Sequence, residues 1–305
     1  MENKKRTIID LFEESVSKYA TKEFLLEKHN GKFEPTTYSA TKALDSRPVH
    51  YEGYSNVNSA KNTDMDSKMY PNLDYTRNHC NSSIGGEPFF LCEYAHAMGN
   101  AVGNLQDYWD IIEGSNYGIG GCIWDWVDQS IYDPQAVNSG VLEKNGFPYY
   151  TSGYDYPGPH QGNFCSNGVV TAQRLQTAKL AEVKFAYQYV KFAYDKGTLT
   201  IRNGYDFRSL KGMKVESKIM VDGKAKKVIT TMLGDVKPGQ STTISIPESK
   251  YTKNAAKKGQ HVVLNVVVTD TEASLSTPAG HIVAHYGVDL ANGTYLPILK
   301  KGDKV

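Results

Sequence analysis

The stretch PFFLCEYAHAMGN, residues 88–100, runs from apolar residues straight into Glu93, with Tyr94 and His96 directly behind it. A buried-looking strand that ends on a carboxylate places a charge where the chain leaves the core. In an architecture of parallel strands and helices, that end opens onto a mouth where side chains from several strands converge. Tyr70 closes one such run, Glu93 the next, and Trp124, Asp125 and Asp128 in IWDWVDQ stand at the end of a third. A phenol beside a carboxylate can donate to it, holding it ionised and correctly turned. His96 and Asn100, on the loop after Glu93, are suited to bonding hydroxyl groups. Each residue also has a plainer reading: Glu93 as a solvated strand end, His96 as a satisfied structural residue, Trp124 as core, Asp125 and Asp128 as loop anchors.

Positioning such groups requires elements that the hydrophobic pattern supplies. The short apolar runs VHYEG (49–53), DMDSKMY (64–70), PFFLCEY (88–94) and GGCIWDWV (120–127) read as strands. The last two flank a helical stretch, 104–113, with Leu105, Tyr108, Trp109 and Ile112 at helical spacing. Strand, helix, strand with buried strands is the rhythm of a parallel α/β unit. Residues 130–165 are rich in Gly, Pro, Asn and Tyr and read as one long loop, a length that itself hints at function. Beyond Gln188 the pattern switches to alternating strands separated by DKG, DGK, KPGQ and KKGQ, which predicts an antiparallel β-sandwich of roughly 110 residues. At the other end, Ile8, Leu11, Phe12, Val16 and Tyr19 predict an amphipathic helix, and Asn30-Gly31 between two short runs predicts a hairpin.

Composition narrows the function classes. Lys+Arg 34 against Asp+Glu 33 leaves a formal charge of +1, no field for drawing in nucleic acid or an acidic membrane surface. Aromatic residues make up 11%, with 21 Tyr, which suits stacking on sugar faces. The four cysteines form no CxxC pair and no zinc-finger spacing with His, so they read as inert thiols. The charged N-terminus lacks a signal-peptide pattern and no run of ~18 apolar residues occurs, which predicts a cytoplasmic location.

LCEYAHAMGN, followed by YW, GGCIWDWVDQ and GNFCSNGVV, closely resembles the β-galactosidases of glycoside hydrolase family 2. The likeness extends upstream through RPVHYEG and SKMYPN and downstream through AEVKFAYQYV and AGHIVAHY, covering about residues 45–305. The resemblance implies a retaining glycosidase acting on terminal β-D-galactosides such as lactose, in which one carboxylate attacks the anomeric carbon and a second protonates the departing oxygen. It assigns Glu93 as nucleophile, Tyr70 as the tyrosine bonded to it, and His96 and Trp124 as contacts to the galactosyl ring. The Phe164 carbonyl and the Asn167 amide resemble donors to a sodium ion beside the sugar's O6. The family also uses magnesium, but its ligands have no counterparts here.

Other departures shape the expectation. The family's acid/base glutamate lies in a Gly-Asn-Glu motif at the end of the fourth barrel strand, and that motif is absent from these 305 residues. The four apolar runs correspond to strands five to eight. The expected fold is therefore α/β plus all-β: a partial (β/α)8 barrel over 45–187, an antiparallel β-sandwich over 188–305, and a short helix–hairpin appendage. That appendage, residues 1–44, resembles the start of long-chain acyl-CoA ligases without their phosphate-binding loop. Glu52 in HYEG would substitute for the acid only at ~5 to 5.5 Å from Glu93. Little or no activity alone is expected, together with association with a separate N-terminal half or with further copies of the chain; the alternative reading is a non-catalytic carbohydrate-binding or complementing fragment.

Overall fold

Two kinds of hydrophobic pattern divide the chain, and the structure, a computed structural model, separates it into two compact units at Ala186/Tyr187. It describes residues 28–29, 32–33, 36–52, 63–82, 87–131, 143–144, 147–148, 151–162 and 164–294. The helix expected within residues 7–19 lies outside these.

In the first unit, β3 (Asp66–Met69), β4 (Phe89–Tyr94) and β5 (Gly118–Ile123) form a parallel sheet in the order β3-β4-β5. Parallel neighbours need crossovers, and two helices supply them: α2 (Leu73–Asn81) between β3 and β4, and α3 (Leu105–Glu113) between β4 and β5. The α3 helix buries Leu105 and Ile112, two turns apart on one face, as its periodicity predicts. The α2 helix was not legible in NLDYTRNHCN, whose only fully buried side chains are Thr76 and Cys80. Its start is fixed instead by Asn72, whose side-chain oxygen accepts from Tyr75 N–H at 2.8 Å.

The expected strand at VHYEG is not one. Residues 49–52 carry no ladder; Val49 and Asp64 exchange bonds, the Asp64 N–H donating to the Val49 carbonyl at 2.7 Å and Val49 N–H to Asp64 Oδ2 at 2.8 Å. Gly53 lies outside the described residues. Asp64 also accepts from the Tyr38 hydroxyl (2.7 Å) and pairs with Lys42 (3.1 Å). It thereby ties down α1 (Thr36–Leu44), a second helix that the hydrophobic pattern did not announce. A carboxylate that collects two neighbouring segments makes local hydrogen bonds where a sheet ladder was expected.

The expected hairpin around residues 30–31 has its flanks in place, β1 (Lys28–His29) antiparallel to β2 (Lys32–Phe33). The long loop is less plain than composition suggests, holding a two-residue pair, β6 (Glu143–Lys144) with β7 (Phe147–Pro148), and a 3-10 turn at Gly153–Asp155. After it, α4 (Ala178–Ala186) closes the unit.

The second unit follows its alternation closely. One antiparallel sheet has the order β11-β10-β13-β14, from β10 (Lys214–Val221), β11 (Lys224–Met232), β13 (Val262–Thr269) and β14 (Ile282–Ala291). The other has the order β12-β9-β8, from β8 (Val190–Asp195), β9 (Thr198–Asn203) and β12 (Ser241–Ser245). Along β10 every second residue is buried, and Val215, Ile219, Leu264, Val266, Leu199 and Ile201 from both sheets share one core. Two of the turns are set by backbone chirality: Lys196-Gly197 and Asp222-Gly223 both have positive φ at each residue (41° and 86°, 47° and 74°), the twist that two-residue hairpins require. A helix, α5 (Ser249–Lys258), lies between β12 and β13 in the chain, where sequence suggested only a turn.

Candidate active site

Strict alternation along β4 would send Phe89, Leu91 and Glu93 to one face. Phe89 does pack on the helix side, its ring 6.1 Å from Tyr75 and 5.2 Å from His79 of α2. At the far end, however, it is Tyr94 that faces a helix: its hydroxyl accepts from Trp109 Nε1 of α3 at 2.8 Å and its ring meets Tyr108 edge-on. The β4–β5 register shifts between Leu91 and Tyr94, and the β3–β4 register shifts between Ser67 and Met69. This irregularity resets the alternation and frees Glu93 from the helix face, the re-aiming that bulges perform beside reactive sites.

The carboxylate then meets Tyr70. The Tyr70 N–H donates to the Glu93 carbonyl at 2.8 Å, which brings the phenol close enough to the Glu93 carboxylate to feel its charge. Burial of the hydroxyl, then the approach of the Glu93 carboxylate, then the charges of Glu93 and Asp125 hold the Tyr70 phenol well above its usual value near 10. The residue is 43% exposed, and with its phenol raised it stays a protonated donor through neutral and mildly alkaline pH. Tyr70 sits at φ 46°, left-handed, which for an aromatic residue ahead of a proline is strained.

His96 lies 6.0 Å from the Tyr70 ring and 5.2 Å from the Phe164 ring, centroid to centroid, so a row of rings leads outward from Glu93. Sequence reasoning used only the carbonyl of Phe164; its half-exposed ring beside His96 had no local signal. Trp124 is joined to the same loop through the backbone, its N–H donating to Tyr94 (3.1 Å) and its carbonyl accepting from Ala97 (2.7 Å). Lys179 of α4 reaches the Ala97 carbonyl at 2.6 Å and pins that loop from the other side.

Asn167 is fully buried. With its amide turned so that both ends are satisfied, Nδ2 donates to the Cys165 carbonyl and Oδ1 accepts from Trp124 Nε1, each at 3.1 Å. Trp124 and Asn167 therefore form a pair, and Asp125 N–H donates to the Asn167 carbonyl at 2.8 Å. An amide oxygen has two lone pairs, so the bond from Trp124 leaves one for a cation. Phe164 C=O and Asn167 Oδ1 are hard, neutral donors of the kind an alkali cation takes. Among the described residues no group of three or more His, Cys, Asp or Glu side chains could hold a metal.

Asp125 and Asp128 act on their own loop. Asp125 accepts from Trp126 N–H at 2.5 Å and from Gln129 Nε2 at 3.0 Å, and Asp128 Oδ1 accepts from Gly168 N–H at 2.7 Å. The charge of Asp125 nonetheless reaches the Tyr70 hydroxyl. Glu52 lies with Oε1 3.7 Å from the Cys92 thiol, on the residue before Glu93. Asn100 lines an open cleft of about 560 Å³ with Gly99, Val102 and the start of α4.

Six of the described tyrosines (70, 75, 108, 194, 205 and 286) have phenols raised by burial, Tyr194 further by its bond to Glu248. A phenol raised in the folded state contributes stability that is complete below pH about 10 and is lost as pH climbs through its folded value. Spectrophotometric titration of phenolate should therefore show a late phase in the folded chain that denaturant moves back to about pH 10. Tyr70→Phe should remove one phenol from the late phase and none from the early one.

Comparison with known proteins agrees with this division of the chain. Residues 27–192 match the family model for glycosyl hydrolases family 2, TIM barrel domain, and residues 199–291 match that for β-galactosidase, domain 4. The first match begins at residue 27, ahead of residue 45 where the sequence reading started the family 2 resemblance. A solved structure from Arabidopsis thaliana, titled as the solution structure of AT1g01470, is 12% identical over 36% of this chain and 82% of its own. Its TM-score of 0.22 is too low to carry an argument. No described helix is long and apolar enough to cross a membrane.

Proposed function

We propose that this chain, which belongs to glycosyl hydrolase family 2, carries the nucleophile of a retaining β-galactosidase acting on terminal β-D-galactosides such as lactose. The observation that carries this reading is the Glu93–Tyr70 pair at the C-terminal ends of adjacent parallel strands. A Glu93 oxygen attacks C1 of the sugar, the C1–O bond to the leaving group breaks, and a covalent glycosyl–enzyme forms. Water later returns the sugar with its original configuration. Tyr70 donates to Glu93 and fixes its direction; His96 and Trp124 face the galactosyl ring. Phe164 and Asn167 would supply two oxygen donors to a sodium ion, which when bound would help hold the O6 hydroxyl.

We read β3, β4 and β5 as part of a (β/α)8 barrel and the second unit as the β-sandwich that follows it. Residues 1–26, ahead of the matched region, we read as a segment of different origin, on the resemblance of the chain's start to acyl-CoA ligases. Departure of the aglycone needs a proton, and with no Gly-Asn-Glu in these residues a second polypeptide segment must bring the acid. A positioned general acid contributes typically ~10² to 10⁴-fold. The outer edges of the described parallel sheet, β3 and β5, are where such a segment would add strands.

An aryl β-galactoside assay tests the reading. The chain alone should turn over at least ~10²-fold more slowly than when mixed with the barrel half carrying the acid glutamate. Full turnover by the chain alone, or no gain on mixing, would overturn it.

A further inference from the structure

Tyr70 directly follows β3 and Glu93 lies on β4, and each is followed by a residue that touches the same side chain. The Tyr108 hydroxyl, on α3, donates to the carbonyl of Pro71 at 2.7 Å. Its ring packs edge-on against Tyr94, with centroids 5.6 Å apart and planes at 68°. Tyr94 is buried and held in turn by Trp109. We propose that Tyr108 is a positioning residue that clamps the Tyr70–Pro71 corner to the end of β4 and so sets the Tyr70 phenol on the Glu93 carboxylate. This rests on the reading of Tyr70 and Glu93 given above.

The corner needs an external clamp because its own backbone resists it. A left-handed φ of 46° disfavours any residue with a Cβ, and a following proline further prefers an extended predecessor. Conformations of this kind persist when surroundings over-determine them. Three contacts do so here: Tyr70 N–H on the Glu93 carbonyl, Tyr108 on the Pro71 carbonyl, and Asn72 capping α2. The first ties the corner to β4 through the backbone, and the last is local to the helix start. Tyr108 is the one side chain of the three that reaches the corner from another element, and that element also contacts the residue after Glu93. Pro71 has no N–H, so its carbonyl is the one polar backbone group by which it can be held.

Tyrosine labelled at Cζ, followed by NMR through a pH titration, gives the test on the chain as it stands, the Tyr70 signal being identified by its loss in Tyr70→Phe. The groups that face the Tyr70 hydroxyl, Glu93, Asp125 and Cys92, are unchanged in the variants. In the wild type Tyr70 should titrate well above 10. In Tyr108→Phe, which deletes one oxygen and keeps the ring, its midpoint should fall back toward 10 while the near-ultraviolet circular dichroism stays native. Tyr108→p-aminophenylalanine, which restores a donor, should return the midpoint. Tyr75→Phe, removing another partly buried hydroxyl on α2, should leave it in place.

An unmoved Tyr70 midpoint in Tyr108→Phe would overturn the clamp, and so would collapse of the fold, since a purely structural hydroxyl predicts that instead. A wild-type Tyr70 midpoint already at about 10 would overturn the underlying Tyr70–Glu93 reading.

Discussion

Replacing Glu93 by Gln in the reassembled enzyme is expected to lower turnover of an aryl β-galactoside by ~10³-fold or more, the scale on which loss of a nucleophile acts. The amide is neutral and a poor nucleophile toward C1, yet it keeps the size of the carboxylate and an oxygen that accepts from Tyr70. Stability should therefore change by less than about 0.5 kcal/mol, as for other substitutions that leave packing and hydrogen bonds in place. Activity and fold are thus separated in one variant. A 2-deoxy-2-fluorogalactoside with a good leaving group provides the direct view. The fluorine slows both formation and hydrolysis of the glycosyl–enzyme by opposing positive charge at C1, and the leaving group restores only the first step. The trapped sugar should be found by mass spectrometry on the peptide that contains Glu93. A label on any other side chain would remove Glu93 from the nucleophile role, whatever the sequence around it resembles.

Substituting Gly168 by Ala is expected to be the most damaging single-atom change in the first unit. A Cβ there would stand 2.1 Å from the Asp128 nitrogen and 2.4 Å from both the Val127 carbonyl carbon and the Val170 oxygen, all of them backbone. None can yield alone. Asp128 N–H donates to the Val170 carbonyl, Val170 N–H to the Trp126 carbonyl, and Gly168 N–H to Asp128 itself. The glycine is required for space, where the segment carrying Asn167 runs closely beside the loop after β5 that carries Trp124 to Asp128. The cost should reach ~4 kcal/mol or more, at the far end of what single substitutions do and a large share of the ~5 to 15 kcal/mol that holds a domain. All three tryptophans, Trp109, Trp124 and Trp126, lie in the first unit. Urea unfolding followed by tryptophan fluorescence therefore reports that unit. Its midpoint should fall sharply in Gly168→Ala and scarcely move in Gly103→Ala, where a Cβ meets nothing within 4 Å. Equal effects at the two positions would show that the crossing is looser than the geometry states.

These two residues were not equally readable. Glu93 stands in a dense local motif, and a carboxylate closing an apolar run draws attention without any tertiary information. Gly168 sits one residue past Asn167 in GNFCSNG, and nothing in its neighbourhood distinguishes it from glycines that merely turn the chain. Its role depends on residues some forty positions earlier. The same distinction separates the helices. The α3 helix carries a clear apolar stripe and was expected, whereas α2 and α5 are polar along most of their length and owe their form to caps and to the sheets beside them.

By itself the sequence determined what repeats or closes locally: the alternation of β10 and β13, the Asp222-Gly223 turn, the stripe of α3, and the run of residue types around Glu93. Period-two burial and turn chirality involve neighbours within a few bonds, so they are written where they act. Only the tertiary structure decided that residues 49–52 follow Asp64 instead of forming a strand, that the register shift in β4 gives the helix face to Tyr94 and turns Glu93 toward Tyr70, and that Phe164 and Asn167 arrive beside His96 and Trp124. Side-chain direction after an irregular register, and the meeting of residues 70, 93 and 164, depend on which segments pair across long stretches of chain. No local spacing encodes that choice.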